Sequence, residues 1–163
     1  EKILRVLSYL LVVLSLTGCV TTYVPPSQDG NATIEFRGSS IQGSHFYMFP
    51  EGRDCSGKAI IPAENNFHNP GAKPLIVAAD REFAIMVVTV RWPKYCQVIT
   101  SFVPRADSNY VVVADNNSEH CSMDVFQREQ SGSQSKLVPE SSQRHRTSRT
   151  VPPLLESGSF CKP

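Results

Sequence analysis

The chain lacks an overall charge, which argues against one class of partner. Its 163 residues contain 16 Lys and Arg against 15 Asp and Glu. The first 18 residues hold Glu1, Lys2 and Arg5, so the remainder carries 14 groups of each sign and no net charge. Because nucleic acids attract proteins through an excess of Lys and Arg, we expect no nucleic-acid partner.

The chain also lacks the motifs that identify many enzymes and metal sites. No GxSxG, HExxH or P-loop pattern occurs, and no CxxC or HxxxH spacing would suit zinc. His120 adjoins Cys121, which would allow a Cys/His nucleophile pair, but a turn histidine beside a disulfide is the favoured interpretation. The carboxylates in turns show no spacing that indicates a cleft. We predict a non-enzymatic protein without catalytic residues, metal ligands or a cofactor.

One long apolar run is present, and no second run approaches its length. It extends from Val6 to Leu16, follows Lys2 and Arg5, and precedes the small residues Thr17 and Gly18. This order of basic, apolar and small residues is typical of a secretory signal peptide. The run is shorter than the about 20 residues that span a bilayer as a helix. Residues 1–18 are therefore predicted to be a cleaved signal peptide.

The segment that ends this run resembles the bacterial lipobox. Leu16, Thr17 and Gly18 precede Cys19, and the resemblance implies cleavage before Cys19, a diacylglyceryl thioether on its sulfur and usually a third acyl chain. Two or three chains hold a protein firmly on a membrane. Val20, where an aspartate would retain such proteins at the inner membrane, points to the outer membrane. The alternative is an ordinary signal peptide that happens to end near a cysteine.

The chain after Cys19 divides by composition into three parts. Residues 19–31 include Pro25, Pro26 and Gly30 without hydrophobic periodicity, and are predicted to be a tether. Residues 32–127 contain short alternating or β-branched runs separated by turn residues. This pattern predicts an all-β fold, an antiparallel β-sandwich of about seven or eight short strands. The run from Met86 to Val90 is expected to be buried on both faces.

Residues 128–163 are mainly polar and are predicted to be a loop, either mobile or strapped over the domain, with a tail that returns to it. The tail regains apolar character at Phe160 and Cys161. Arg144, Arg146 and Arg149 form a local basic patch, interpreted as solvated. The functional alternative is contact with lipopolysaccharide phosphates or an acidic partner.

Five cysteines separate into one for the lipid and four for the fold. Cys55, Cys96, Cys121 and Cys161 are even in number in an oxidising compartment, so two disulfides are expected. Of three possible pairings, Cys96–Cys121 with Cys55–Cys161 is preferred. One objection stands against it. If the last three strands form one meander, the first and third are ~9.6 Å apart, whereas a disulfide needs Cα atoms within about 7 Å.

A composite pattern resembles a broad group of small, largely uncharacterised proteobacterial outer-membrane lipoproteins with an immunoglobulin- or transthyretin-like sandwich. The resemblance spans about residues 32–127 and the final cysteine, and it rests on the four cysteines together with Asp54, Gly57, Phe102, Pro104, Tyr110 and Phe160. It implies the fold but no agreed activity. Tyr110 is a candidate tyrosine corner, whose hydroxyl would bond to the preceding turn; a plain strand aromatic is the alternative.

Three functional hypotheses follow. The first is a lipoprotein anchored in the outer membrane, facing the periplasm or, alternatively, the cell surface, with a binding or structural role in the envelope. Edge strands of sandwiches can pair with a partner strand. Its partners are the membrane, through the lipid anchor, and an envelope protein. A more specific version is an accessory subunit of a secretion or envelope machine. The second is an inhibitor of a hydrolase such as lysozyme, with the loop Asn65 to Asn69 inserted in the active site. An enzyme is the least favoured.

Overall fold

Strands account for nearly all regular structure in the part of the chain that the computed structural model describes. The described residues are 21–27, 30–39, 44–65, 71–91, 94–116, 121–132, 134–149 and 158–162. They contain β1 (Thr21–Thr22), β2 (Ala32–Ser39), β3 (Ser44–Phe49), β4 (Ala59–Ile60), a 3₁₀ turn η1 (Ala63–Asn65), β5 (Leu75–Val77), β6 (Phe83–Arg91), β7 (Lys94–Phe102), β8 (Asn109–Asn116), β9 (Cys121–Ser131), β10 (Gln134–Pro139) and β11 (Arg144–Arg146). The prediction of an all-β fold is confirmed.

The strands form two mixed sheets. The first has the order β1-β4-β3-β6-β7-β11, and the second has the order β10-β9-β8-β2-β5. Neighbours are antiparallel except for β1 with β4 and β2 with β8, which run parallel. The prediction of a purely antiparallel arrangement is therefore wrong at these two pairs. The pairs join segments distant in sequence, and the alternation within a strand carries no information about the direction of its neighbour.

The described residues contain eleven strands rather than seven or eight. The additional ones are β1, β10 and β11. Since β10 and β11 are polar and mostly exposed, they lack the alternation by which strands are predicted. The prediction of a polar loop after residue 127 is wrong for the end of β9, for β10 and for β11.

Two residues of the predicted tether, Thr21 and Thr22, belong to the first sheet. Thr21 pairs with Ala59 in β4, and the backbone N–H of Tyr23 donates to the carbonyl of Ile60 at 2.9 Å. The Tyr23 ring packs against the core, and this burial raises the pKa of its hydroxyl. Residues 1–18, Cys19 and Val20 lie outside the described residues. No helix among those described has the length and apolar character that crossing a bilayer requires.

One hydrophobic cluster draws side chains from both sheets. Ile34 and Tyr110 of the second sheet belong to it with Ile85 and Phe102 of the first. The Phe102 ring lies 4.7 Å from that of Phe83 and 5.1 Å from that of Tyr110, centroid to centroid. The two sheets therefore share one core.

A second cluster lies on the other face of the first sheet. In β6, Phe83 and Ile85 point into the shared core, whereas Ala84 and Met86 point outward. The outward residues pack with Phe49, Ile99, Cys55 and Cys161, and with the partly buried Phe160. Burial on both faces is confirmed for Met86 and Val87. The outer face of this sheet is thus covered by chain from elsewhere.

Candidate functional site

The two disulfides have different roles in the fold. Cys55–Cys161 has a Cα–Cα separation of 5.2 Å, and Cys96–Cys121 one of 6.4 Å. The expected disulfide bonds are present in the preferred pairing. The objection to Cys96–Cys121 does not apply, because β7 and β9 belong to different sheets. This disulfide links the two sheets, while Cys55–Cys161 holds the C-terminal segment on the first sheet.

The C-terminal segment is fixed by backbone hydrogen bonds as well as by its disulfide. The N–H groups of Phe160 and Cys161 donate to the carbonyls of Cys55 and Asp54 at 3.2 and 3.1 Å. On its other side, the N–H of Arg149 donates to the carbonyl of Phe160 at 2.8 Å. Residues 51–58 and 158–162 therefore lie over the outer face of the first sheet, and residues 144–149, which include its edge strand β11, adjoin them; we call these three segments together the cap.

The cap has an excess of positive charge, although the chain after residue 18 has no net charge. Its three segments contain six cations and two carboxylates. The cations are Arg53, Lys58, Arg144, Arg146, Arg149 and Lys162, and all except Lys58 and Arg146 are exposed. A hydrogen bond from the Ser56 hydroxyl, reinforced by one from Ser159, holds the pKa of the Asp54 carboxyl below its usual value. The Lys58 ammonium lies 4.5 Å from the Tyr47 ring centroid, within the range of cation–π attraction.

A buried polar cluster attaches β11 to the sheet. Arg146, whose side chain is 11% exposed, forms an ion pair with Glu82 and donates to the Ser101 hydroxyl at 2.8 Å. Ser101 donates in turn to Glu82 at 2.8 Å. Partial burial acts to raise the pKa of Glu82, but the hydrogen bonds from Ser101 and Arg146 outweigh it, and the pKa lies below its ordinary value. Arg146 is thus a structural residue rather than part of a solvated tail.

The Glu82 cluster makes stability depend on pH. Because the pKa of Glu82 is lowered in the folded state from 4.5, its contribution is complete above that pH and is lost as the pH falls through the folded-state value. We expect Glu82→Gln to reduce the free energy of unfolding by about 1–2 kcal/mol at neutral pH, and the difference from wild type to vanish at low pH. Thermal unfolding across a pH series measures both.

The matched control is Glu51→Gln. Glu51 forms an ion pair with Arg81 in which the two side chains are 60% and 62% exposed. Such exposed pairs contribute little, so Glu51→Gln should leave the melting temperature nearly unchanged at every pH. A Glu82→Gln effect that persists undiminished in acid would contradict the assignment.

The remaining candidates for chemistry do not come together. His45 is exposed on β3, and His145 lies on β11 with Nδ1 3.4 Å from the Thr100 hydroxyl; His68 and His120 fall outside the described residues. Among the described side chains, no group of three His, Cys, Asp or Glu could hold a metal ion. A cavity beside Tyr23 and Phe83 has about 40 Å³, room for two or three water molecules.

The segment from Gly52 to Lys58 has the glycine and lysine spacing of a phosphate-binding loop. It is followed by Ala59 instead of Ser or Thr, and by a strand instead of a helix. It therefore lacks the helix N-terminus and the hydroxyl that bind nucleotide and metal. Its Gly52 and Cys55 serve packing and the disulfide.

The Tyr110 hydroxyl accepts a hydrogen bond of 2.9 Å from the backbone N–H of Arg105. Because the Tyr110 side chain is 1% exposed, the bond ties the β7–β8 turn to the core, and the tyrosine-corner interpretation is confirmed. Asn65, the first residue of the predicted inhibitory loop, is buried and donates to the carbonyls of Lys73 and Pro74. Its side chain is therefore unavailable to a partner, and residues 66–69 lie outside the described residues.

The outer face of the second sheet is partly exposed and partly apolar. Since Ile34 and Tyr110 point into the core, alternation directs Glu35 of β2 and Val111 of β8 outward. Val111 is nevertheless fully buried, because it lies between Glu35 and Phe126 in register. Arg128 of β9 reaches across to Glu35 at 2.6 Å, so this ion pair lies above the apolar row. The bonds from Arg37 and Arg128 hold the pKa of Glu35 below its usual value.

Strand β10 extends this face to the edge of the sheet. It pairs only with β9 among the described strands and is exposed at five of its six residues. Pro139 continues the row of Val111 and Phe126, and Leu137 pairs with Arg128; Leu137 is 37% exposed. We call Gln134–Pro139 the β10 edge.

Comparison of the chain with protein-family models, curated proteins and solved structures gave no match. The function proposed below depends on the residues and geometry described above.

Sequence reasoning did not identify the β10 edge, and it identified only the part of the cap that Arg144, Arg146 and Arg149 form. The β10 edge carried a weak signal in the apolar pair Leu137 and Val138 inside a polar stretch. The cap carried its signal in Arg144, Arg146 and Arg149, but the distant Arg53 and Lys162 join them only through the fold.

Proposed function

We propose that this chain is a lipid-anchored protein of the bacterial outer membrane, whose two sheets form a β-sandwich with a non-enzymatic binding role. Cys19 would carry the lipid and the domain would face the periplasm. The single observation that carries the binding role is the β10 edge, an exposed strand with one unpaired side among the described strands.

Every open sheet has edge strands, and β10 is the longest of the four edge strands among the described residues. Its free N–H and C=O groups invite pairing with other chains, and proteins normally shorten, charge or cover such edges. The β10 edge has six residues and one charged side chain, Lys136. Strand addition at such an edge supplies backbone hydrogen bonds, and neighbouring side-chain pockets supply specificity. Leu137 and Pro139, beside Phe126, would provide the apolar contacts.

The hydrogen bonds and ion pairs of three carboxylates support a non-enzymatic role. In the described part of the chain, Glu82 holds β11, Asp54 holds the cap, and Glu35 covers Val111. Each connects separate segments of the chain, which supports a structural role for these three carboxylates. The partner would be another envelope protein, and an accessory role in a secretion or envelope machine is the more specific version.

Anchoring is tested by replacing the lipidated residue. Wild-type chain expressed in cells should incorporate labelled palmitate and sediment with outer membranes, whereas Cys19→Ser should do neither. The Cys55–Cys161 disulfide, assayed by thiol labelling, should form in both and shows that the variant is exported and folded. Palmitate incorporation by Cys19→Ser would refute anchoring at this residue.

Binding at the β10 edge is tested with Leu137→Lys in the lipidated protein. The partner recovered by in-cell crosslinking and mass spectrometry should fall about tenfold or more, because a central interface residue typically contributes at least 1.4 kcal/mol. Ile76→Lys is the matched control, since Ile76 is 41% exposed on β5 at the opposite edge of the same sheet. Equal loss in both variants, or in neither, would refute the β10 edge as the binding site.

A further inference from the structure

One end of the cap, at Lys58, lies close to the position from which the lipid would extend, whereas residues 144–149 lie at the opposite edge of the same sheet. Thr21, the first residue of β1, follows Cys19 by two residues, so their Cα atoms are at most about 7.6 Å apart. Thr21 pairs with Ala59, the residue after Lys58. Lys58 belongs to the cap, and its ammonium lies over Tyr47 and Phe160 on the outer face of the first sheet. A lipid on Cys19 therefore brings this edge of the cap to the membrane surface.

The two outer faces of the domain differ in charge. The cap has six cations against two carboxylates. The outward positions of β2, β8 and β9 have two cations, Arg37 and Arg128, against Glu35, Asp115 and Asp124. Of these two faces, as far as their described residues go, the cap alone has an excess of positive charge, and four of its cations are exposed.

We propose that the cap is a second membrane contact, which binds the anionic phospholipid headgroups of the leaflet that carries the anchor. The proposal rests on the proposed anchoring only in that the lipid brings the cap to this surface. Exposed cations attract an anionic bilayer within the Debye length, about 8–10 Å at physiological salt, and each strengthens binding about fivefold. The first sheet then lies on the bilayer, and the second sheet presents the β10 edge to the periplasm.

This orientation replaces the tether predicted from residues 19–31. Only one residue, Val20, separates Cys19 from β1, so the domain cannot be held far above the membrane. The short link between Cys19 and β1 keeps the domain in contact with the headgroups. The positive charge of the cap determines which face of the domain makes that contact.

The test uses the whole chain after residue 18 with Cys19→Ser, so that membrane binding is measured without a lipid. Cosedimentation is compared between phosphatidylcholine vesicles and vesicles with about one-third phosphatidylglycerol. We expect binding to the anionic vesicles alone, and its loss when salt is raised from about 0.05 to about 0.5 M, which shortens the Debye length from over 10 Å to under 5 Å. Absence of binding at low salt would refute the proposal.

Two triple variants locate the surface. Arg53→Gln, Arg149→Gln and Lys162→Gln together should weaken binding about 100-fold, at fivefold per charge. Arg37→Gln, Lys73→Gln and Lys136→Gln remove the same charge from exposed positions outside the cap and should weaken it less than about tenfold. Equal losses would indicate general charge attraction and overturn the assignment.

The unlipidated chain also separates this proposal from the proposed function. Because it carries no anchor, its vesicle binding does not depend on whether wild-type Cys19 is lipidated. Conversely, palmitate labelling of the wild type with no vesicle binding by the cap would leave the anchor intact and remove the second contact. A stronger affinity for lipopolysaccharide than for phosphatidylglycerol vesicles of equal charge would assign the cap to another surface and refute the proposal.

Discussion

Replacing Cys55 and Cys161 together with alanine should lower the free energy of unfolding by about 5 kcal/mol, because their disulfide closes a loop of 106 residues. The physical reason is the restriction of the unfolded chain, whose entropy rises when the cross-link is removed. The folded state is affected as well, since both cysteines are fully buried with Phe49 and Met86. Urea unfolding monitored by circular dichroism measures the change.

The second disulfide is the matched control for the first. Cys96→Ala with Cys121→Ala opens a loop of 25 residues, for which the same entropy argument gives about 3.5 kcal/mol. The Cys55–Cys161 pair should therefore be the more costly to remove. A larger loss of stability on removal of Cys96–Cys121 would mean that packing in the folded state, rather than the entropy of the unfolded chain, determines the contribution of each disulfide.

Gly52→Ala should destabilise the protein by at least about 2 kcal/mol, as overpacking of a tight contact does. A Cβ at this position would lie 2.6 Å from the backbone of Phe83, and the backbone N–H of Gly52 donates to the carbonyl of Glu82 at 3.0 Å. The contact holds the loop that carries Cys55 against the start of β6. Relief of the clash therefore requires movement of backbone, and the melting temperature reports it.

Gly132→Ala serves as the control for Gly52→Ala. Gly132 has φ +62°, and a Cβ added there would meet no described atom within 4 Å, so the substitution costs only the left-handed backbone conformation, about 1–2 kcal/mol. Gly52→Ala should in addition slow formation of the Cys55–Cys161 disulfide after reduction, whereas Gly132→Ala should not. An unchanged melting temperature for Gly52→Ala would contradict the close approach.

The two sheets divide the proposed roles between them. The first sheet buries an apolar cluster on its outer face, whereas the second sheet carries the Glu35–Arg128 ion pair on its outer face and has the mostly exposed β10 at its edge. If the cap rests on the membrane, the β10 edge is directed toward a partner. The lipid anchor and the cap together would fix the orientation of the domain on the membrane. A partner strand would then always approach the β10 edge.

The number of cysteines was enough to predict two disulfides, but not the sheets that they connect. Setting Cys19 aside left four cysteines and the preferred pairing, which the structure contains. The geometric objection to Cys96–Cys121 assumed that three consecutive strands share one sheet. The chain instead changes sheet between β7 and β8, a fact of tertiary packing that strand patterns do not encode.

Exposed edges were the weakest part of the prediction, for a general reason. A strand is recognised by the alternation that burial of one face imposes, and β10 and β11 bury almost nothing by themselves. Their pairing depends on neighbours, β9 and β7, and on contacts such as Arg146 with Glu82. The polar composition of these segments was correctly observed, but it marked the edges of sheets rather than a loop.

The sequence by itself determined the all-β class, the burial of β6 on both faces, the expectation of disulfides and the candidate role of Tyr110, because each depends on local pattern or on counting. It also motivates the prediction of an anchor at Cys19. Only the tertiary structure decided the parallel pairing of β2 with β8, the assembly of the cap and the exposure of the β10 edge. These depend on contacts between segments up to about 100 residues apart, such as Cys55 with Cys161, whose free energy is shared among many neighbours.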